Sequence, residues 1–383
     1  MTVRTFSIAV LPGDGIGPEV TREAVRALKT AADVFGISVA TDDFPIGANA
    51  VHKFGAPFPD ATRAAVQQAD AVLLGAVGDP SLDNAPRARK PETGLLELRA
   101  LLGVYANLRP VAIHPALTSY SPLRPERLRG VDLLIVRELL GGLYYGEPRG
   151  KTELAGVNTM SYSVSEIERV ARVAFEAALS RRRVVTSVDK ANVLEVSQLW
   201  RETVTRIGRE YTDVRLEHLY VDYAAMRLVS DPATLDVVLT ENMFGDILSD
   251  EAAVLVGSLG MLPSASLGAG SGLFEPIHGS APTIAGQNIA NPIGAIASVA
   301  MLLRYGLKHA EAGDAVDRAI RDALDQGART KDIALPGDVV LGTKEMGARI
   351  TSLIERRDAG TKQVDPKTPR RRVGDRGEAR GRP

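Results

Sequence analysis

Two aspartates spaced four residues apart are the most informative chemical feature of the sequence. Asp246 and Asp250 close the segment Glu241-Asn-Met-Phe-Gly-Asp-Ile-Leu-Ser-Asp250, in which a helix is predicted to open near Asp246. Residues at this spacing share one helix face, and like charges there repel unless a cation or water separates them. Carboxylates without histidine or cysteine suit Mg²⁺ or Mn²⁺. A hydrated acidic first turn is the alternative, although the apolar neighbours Ile247 and Leu248 argue against it.

Three arginines, Arg99, Arg109 and Arg137, lie at or near the ends of apolar stretches. A guanidinium beside buried residues needs a carboxylate or phosphate partner, preferably in a bidentate pair. One such arginine is usually part of a structural ion pair. Three of them, together with a metal-type aspartate pair, predict a small dianionic substrate, which charge-assisted hydrogen bonds of about 1.5–3 kcal/mol each could hold firmly.

Candidates for proton transfer follow a strand and a glycine pair. Lys190 stands beside Asp189 at the end of a predicted strand, where a surface ion pair is the alternative. Tyr144 and Tyr145 follow two glycines, a place where a phenol could be held near a ligand. A metal ion and three arginines would supply the nearby positive charge that a lysine needs to act as a base.

A glycine-rich turn, residues 12–19, joins the first predicted strand to the first predicted helix. Its glycines fall at G-x-G-x-G and Pro18 takes the next position, whereas a dinucleotide-binding fingerprint requires G-x-G-x-x-G. Asp42 and Asp43 do not follow at the spacing of a ribose-binding acid. The turn therefore does not predict a Rossmann site. A tight turn that needs positive φ and a ligand-contacting loop both stay open.

The elements that must position these residues alternate between short β-branched runs and helical patterns, as in βαβ units around a mostly parallel sheet. Strands are predicted at Phe6–Leu11, Ala71–Val77, Val131–Glu138, Val184–Val188, Val214–Val221 and Leu235–Thr240. Helices are predicted at Pro18–Phe35, Ser165–Arg182, Gln198–Tyr211, Ile247–Val256, Ile293–Tyr305 and Ala315–Gln326.

Composition narrows the class of protein. A chain of 383 residues predicts two domains, and an apolar fraction of 45% with 24% charged residues is typical of a soluble globular protein. Because 46 basic residues balance 47 acidic ones, we expect neither a nucleic-acid nor a membrane partner. The absence of cysteine excludes disulfides and thiolate chemistry. With no signal-peptide pattern and no apolar run of spanning length, a cytoplasmic location is expected.

The end of the chain differs from the rest. Residues 359–383 hold eight basic and three acidic residues and almost nothing to bury, which predicts a disordered basic tail. A solvated appendage is favoured over a nucleic-acid-binding arm.

Three motifs together resemble those of the β-decarboxylating dehydrogenase family, the group of isocitrate, isopropylmalate, homoisocitrate, tartrate and D-malate dehydrogenases. They are Glu241–Asp250, Gly272-Leu-Phe-Glu-Pro-Ile-His-Gly-Ser-Ala-Pro282 and Ile289-Ala-Asn-Pro292. The resemblance covers roughly residues 6–355. It implies a two-domain α/β fold with a mostly parallel sheet and no standard Rossmann domain. Residues 1–104 plus 257–358 would bind the dinucleotide, and residues 105–256 would bind substrate and metal and form a homodimer.

The resemblance also implies a set of site residues. Tyr144, and Lys190 from the second subunit, would be catalytic. The substrate would contact Arg99, Arg109, Arg137, Leu95, Leu96, Val193 and Asp222. Mg²⁺ or Mn²⁺ would be bound by Asp246 and Asp250 with Asp222 of the second subunit. NAD would contact Glu92, Asn192, Glu275, His278, Gly279, Ser280, Ala281, Thr283 and Asn291.

Leu95 and Leu96 favour one substrate within the family. In the isopropylmalate enzymes two leucines at these positions face the isopropyl group, whereas the third carboxylate of isocitrate would be left unpaired against an apolar wall. Burying three alkyl carbons contributes about 2–2.5 kcal/mol. We therefore expect oxidation of isopropylmalate by NAD, loss of carbon dioxide and protonation of the enolate, as in leucine biosynthesis. D-malate or tartrate is the alternative substrate, and core packing is the alternative role of the leucines.

Two positions depart from the family pattern. Leu140 stands where relatives have threonine, with no consequence that we can assign. Thr283 replaces an aspartate that pairs with the ribose hydroxyls and repels a 2′-phosphate, so a weaker than usual preference for NAD is predicted. A non-catalytic regulatory subunit of the same fold is the rival hypothesis, which the retained metal and proton-transfer residues oppose.

Overall fold

The computed structural model describes residues 4–361 of the chain, with side chains to residue 356. Twelve strands are present in this range: Thr5–Gly13 (β1), Ser38–Asp43 (β2), Ala71–Ala76 (β3), Val104–Ala112 (β4), Asp132–Glu138 (β5), Gly150–Lys151 (β6), Gly156–Val157 (β7), Val184–Asp189 (β8), Arg215–Tyr220 (β9), Val237–Thr240 (β10), Pro263–Gly268 (β11) and Gly272–Pro276 (β12). β6 and β7 form a small antiparallel pair, and the other ten make one sheet.

The large sheet has the order β2-β1-β3-β12-β11-β4-β5-β10-β8-β9. Neighbouring strands are parallel in both outer parts, while β11 is antiparallel to β12 and to β4, and β4 is antiparallel to β5. The predicted mostly parallel sheet is thus confirmed. One half of the sheet consists of the first three strands together with β11 and β12. The other half consists of strands from the middle of the sequence, and the two halves meet between β11 and β4. The predicted division into two domains stays a prediction.

Helices cover both faces of the sheet, as parallel strands require. They are Gly17–Phe35 (α1), Ala48–Phe54 (α2), Asp60–Gln68 (α3), Pro91–Leu102 (α4), Pro125–Leu128 (α5), Val164–Leu179 (α6), Glu195–Gly208 (α7), Val221–Ser230 (α8), Asn242–Val256 (α9), Ile293–Met301 (α10), Ala310–Asp325 (α11) and Thr343–Thr361 (α12). Every residue of α10 is buried, and α10 packs against α1 and α11. None of the helices within residues 4–361 is long and apolar enough to cross a membrane.

Local chemistry explains where the site-bearing helices start and stop. Helix α6 begins with a capping box, in which Ser163 and Glu166 bond each other's backbone N–H groups. Helix α9 begins at Asn242 because the Glu241 carboxylate accepts hydrogen bonds from the N–H groups of Met243 and Phe244. The prediction that this helix opens near Asp246 was therefore wrong, and Asp246 lies in its second turn.

Most predicted elements are confirmed to within a few residues, and two further differences concern the site. Arg109 lies inside strand β4 rather than at a strand end, and Arg99 lies in the last turn of helix α4. Helix α12 continues to Thr361, past the predicted start of the tail at residue 359. The remaining tail, residues 362–383, lies outside the described residues.

Candidate active site

A cleft of about 420 Å³ lies where β3, β4, β5 and β12 meet helices α4 and α9. Predicted site residues supply much of its lining: Glu92, Leu95, Leu96, Arg99, Arg109, Arg137, Tyr144, Asp246, Glu275, His278 and Gly279. These residues come from six separate stretches of the chain. Their convergence makes the cleft the candidate active site.

The three arginines form a buried cationic wall of this cleft. Arg99, Arg109 and Arg137 are only 8%, 6% and 1% exposed. Burial, followed by the neighbouring charge of Arg137, lowers the pKa of Arg109 to about 10, so it stays charged at neutral pH. Because burial makes a cation costly unless anions approach it, this wall is suited to a ligand with more than one carboxylate.

Asp246 and Asp250 face the arginines from helix α9. The Asp246 carboxylate accepts a hydrogen bond from Arg137 Nη1 and lies 3.8 Å from Arg109 Nη2, and Asp250 lies 3.7 Å from Arg109 Nη1. Burial opposes ionisation of Asp246, but the charges of Arg137 and Arg109 outweigh it and lower the pKa. Burial raises the pKa of Asp250, which Arg109 offsets only in part. The expected sharing of one helix face is therefore confirmed.

Tyr144 lies at the end of a short 3-10 turn and donates a 2.7 Å hydrogen bond to Asp246 Oδ2. Burial and this bond raise the pKa of the phenol to about 12. The hydroxyl is therefore protonated at neutral pH and faces the cleft, as a proton donor must.

Leu95 and Leu96 line the same cleft from helix α4. Both are partly buried, and Leu95 also packs against the core cluster that contains Leu98 and Leu102. Tyr145 supports this wall by donating its hydroxyl to the Leu96 carbonyl oxygen. The two leucines thus give the cationic cleft one apolar side.

Glu275, assigned by the resemblance to the dinucleotide, instead contacts an arginine in the structure. Its Oε1 lies 3.1 Å from Arg99 Nη2, and both side chains are buried. A buried carboxylate from strand β12 therefore compensates the charge of Arg99.

His278 and the residues after it form a loop beside the cleft. His278 is 9% exposed, and its Nδ1 bonds the Gly279 carbonyl oxygen. Its Nε2 is buried and has no hydrogen-bond partner among the described residues. Burial lowers the pKa of His278 and favours the neutral ring. The Ser280 carbonyl oxygen accepts a hydrogen bond from Ile16 N–H of the glycine-rich turn. The unpartnered nitrogen fits a ring or hydroxyl of a bound nucleotide.

The remaining residues assigned to NAD differ in their availability. Thr283 is exposed, and Ala281 has a positive φ of 38°. Asn291 is buried: its Nδ2 donates to Asp332 and its Oδ1 accepts from Ile293 N–H at the start of α10. The polar atoms of Asn291 are thus already engaged within the chain.

A group of four predicted residues lies away from the cleft of this single chain. Lys190 and Asp222 pair with each other at 2.6 Å, and Asn192 and Val193 are exposed beside them. Within the described residues, no three acidic, histidine or cysteine side chains converge in a way that could hold a metal ion. Asp246 and Asp250 supply the hard oxygen donors that Mg²⁺ or Mn²⁺ favours, with room for further ligands.

Sequence reasoning missed three polar residues in this region. Arg149 lines the cleft and donates to the Tyr144 carbonyl oxygen, Asn107 accepts from Arg109, and Asn242 accepts from Arg137. The alternation of strand β4 could have indicated Asn107, because residues two apart on a strand point to the same face. No local pattern indicates Arg149.

The comparisons with known proteins agree with this geometry. A family model described as isocitrate/isopropylmalate dehydrogenase matches residues 7–350. The 3-isopropylmalate dehydrogenase of Gloeobacter violaceus is 55% identical over 357 residues, 92% of this chain and 99% of that protein. That of Aquifex aeolicus is 50% identical over 364 residues, 94% of this chain and 100% of that protein.

Solved structures give the same result. Isocitrate dehydrogenase from Methylococcus capsulatus aligns with a TM-score of 0.82 at 35% identity, over 91% of this chain and 99% of that one. A beta-decarboxylating dehydrogenase from Thermococcus kodakarensis aligns with a TM-score of 0.76 at 36% identity, over 94% and 99%. Because the family model matches residues 7–350 and relatives of 50–55% identity cover more than nine tenths of the chain, the chain belongs to the isocitrate/isopropylmalate dehydrogenase family.

Proposed function

We propose that the protein catalyses the oxidative decarboxylation of 3-isopropylmalate to 4-methyl-2-oxopentanoate with reduction of NAD. The observation that carries this proposal is the joint lining of one cleft by three buried arginines and two leucines. The arginines suit the two carboxylates of the substrate, and the leucines suit its isopropyl group. The names of curated relatives at 50–55% identity support the same substrate.

The divalent cation would be held by Asp246 and Asp250 together with Asp222 of a second copy of the chain. When bound, it would acidify the 2-hydroxyl of the substrate and polarise the carbonyl formed by oxidation. The arginines keep Asp246 ionised and thus ready to coordinate.

The chain's own residues provide the proton transfers. Lys190, also from a second copy, would take the hydroxyl proton. Tyr144 would then protonate the substrate carbon after carbon dioxide has left, since its phenol keeps its proton near neutral pH. Its bond to Asp246 orients the hydroxyl toward the centre of the cleft.

NAD would bind along the loop after β12, with His278, Gly279, Ser280, Ala281 and Thr283, and would accept the hydride. The unpartnered His278 Nε2 supports this placement. Glu92 would border the nicotinamide end, with Asn192 of the second copy. Neither Thr283 nor Ile284 is basic, so no positive charge at these positions would bind the 2′-phosphate of NADP. NAD is therefore preferred, although less strictly than with an aspartate at 283.

A homodimer with shared sites is part of the proposal. Tyr223, Met226 and Val229 on α8 are 53%, 66% and 46% exposed, and Ile247 and Val254 on the neighbouring α9 are 59% and 49% exposed. Exposed apolar side chains gathered on two packed helices mark an association surface. An isologous contact through this surface would cover the same residues in both copies.

One assay tests the function. NADH formation is measured with Mn²⁺ and, in turn, 3-isopropylmalate, D-malate, tartrate and isocitrate. We expect the highest kcat/KM with 3-isopropylmalate, about tens of times that for D-malate from the buried alkyl carbons. Turnover of isocitrate alone would contradict the argument from Leu95 and Leu96.

A further inference from the structure

Two of the three cleft arginines are fixed by neutral amides. Arg109 Nε donates to Asn107 Oδ1 at 2.7 Å, and Arg137 Nε and Nη2 donate to Asn242 Oδ1 at 3.0 and 2.8 Å. Both asparagines are buried, at 0% and 1% exposure. Arg99 differs, since its buried partner is the carboxylate of Glu275.

Each amide is in turn fixed by the chain behind it. Asn107 Nδ2 donates to the hydroxyls of Ser264 and Ser266 on strand β11, at 2.7 and 2.9 Å. Asn242 Nδ2 donates to the Gly141 carbonyl oxygen at 3.0 Å, in the segment that leads to Tyr144. A guanidinium can only donate hydrogen bonds, so the oxygen of each amide must face its arginine.

The charge of the acceptor matters because the guanidinia are buried. A carboxylate in place of either amide would accept the same hydrogen bonds from the arginine but would also neutralise the charge of its guanidinium. In a buried site that charge interacts strongly with a bound ligand, because the local dielectric constant is low. The carboxylates that do reach Arg109 and Arg137 are Asp246 and Asp250. The proposed function assigns both to a divalent cation, which would compensate their charge.

Resting on the proposed function, we propose that Asn107 and Asn242 are positioning residues that orient Arg109 and Arg137 while leaving their charge free for the carboxylates of the substrate. The affinity of the cleft for a dicarboxylate is thereby set by two neutral side chains behind it. Neither asparagine needs to touch the substrate.

The test is Asn107→Asp, which preserves size and hydrogen bonding. The hydroxyls of Ser264 and Ser266 can turn to donate to the new carboxylate, since a hydroxyl both donates and accepts. The variant should raise KM for 3-isopropylmalate about 10- to 100-fold, while kcat, KM for NAD and the melting temperature stay close to those of the wild type. Asn84→Asp adds the same charge on an exposed loop and should change none of these values.

Each result bears on the proposal. An unchanged KM for 3-isopropylmalate in Asn107→Asp would overturn it, as would equal losses in kcat and in affinity for NAD, which a purely structural role would cause. If Asn107→Asp does not fold, Asn107→Ala decides: it removes the acceptor and adds no charge, and wild-type kinetics in that variant would overturn the proposal. Failure of the wild-type enzyme to turn over 3-isopropylmalate would instead reject the proposed function.

Discussion

At the scale of single residues, Asp246 links the two halves of the chemistry. Its carboxylate accepts from Arg137 on one oxygen and from Tyr144 on the other. The arginine charges keep it ionised despite burial, and the same carboxylate helps to keep the Tyr144 phenol protonated. The group proposed to bind a cation is thus kept ionised, and the group proposed to deliver a proton is kept protonated.

Replacing Tyr144 with phenylalanine should lower kcat about 10²- to 10⁴-fold, the usual contribution of a general acid, with little change in KM for NAD. Because the pKa of the phenol is raised to about 12, the wild type should show no loss of activity from its ionisation at alkaline pH values below that pKa. Steady-state kinetics across this range provide the measurement.

Tyr145→Phe is the matched control. The pKa of the Tyr145 phenol is also raised to about 12, but this hydroxyl bonds the Leu96 carbonyl oxygen. Of the two tyrosines, Tyr144 is the one that bonds Asp246. An equal loss of kcat in both variants would show that the phenol at 144 has no special role.

Asp250→Asn should abolish Mn²⁺-dependent turnover and leave the fold intact. The side chain is 63% exposed and its carboxylate lies 3.7 Å from Arg109, so its neutral isostere removes a proposed metal ligand and little else. Activity as a function of Mn²⁺ concentration, with a thermal melt of the same sample, measures both effects. Wild-type turnover in the variant would remove Asp250 from the metal site.

At the scale of elements, the glycine-rich turn is explained by close packing of backbone on backbone. Gly13 and Gly15 have φ values of 72° and 56°, and a Cβ on Gly15 would lie 1.9 Å from the Ser280 carbonyl oxygen. The tight turn is therefore confirmed, and contact of this turn with a ligand stays a prediction. The turn contacts the proposed NAD loop at Ser280.

Gly15→Ala should displace the loop that carries His278 and Ser280. We expect a loss of about 2–4 kcal/mol, from left-handed strain and overpacking together, and a raised KM for NAD with KM for the dicarboxylate little changed. Gly36→Ala is the control, because Gly36 has a similar φ of 66° with open space around it, and should show only the strain. Equal melting temperatures for the two variants would contradict this explanation.

The elements themselves were predictable where one face is apolar and were missed where the site interrupts the pattern. β-branched runs and helical spacing located β1, β3, β5 and α1. Strand β4 was missed because its buried positions include Asn107 and Arg109, polar residues that break the apolar signal and serve the cleft. The start of α9 was misplaced because Glu241 acts as an N-cap, a role less usual for glutamate than for serine or aspartate.

At the scale of the whole molecule, the order of the strands could not be derived from local patterns. Strand β12 pairs with β3, whose partner residues lie just over two hundred positions earlier in the chain, and β11 then joins β12 to β4. This arrangement carries the loop after β12 to the glycine-rich turn and sets Glu275 beside Arg99. The resemblance supplied the architecture and the site residues, whereas the contact of Glu275 with Arg99 required the structure.

Lys190 and Asp222 lie together outside the cleft. Lys190 directly follows strand β8, and Asp222 lies in the first turn of α8, the helix that carries the exposed apolar side chains. If each catalytic centre is shared by two copies, these two residues serve the cleft of the other copy.

Mixing two inactive variants tests this claim most directly. Lys190→Ala and Asp246→Asn are each expected to be inactive as homodimers, but a mixed dimer contains one cleft with Asp246 from one copy and Lys190 from the other. After unfolding and refolding an equal mixture, about half of the dimers are mixed and each has one intact site, so activity should return to about a quarter of the wild-type value. Mixed dimers that form and remain inactive would contradict a catalytic centre shared between two copies.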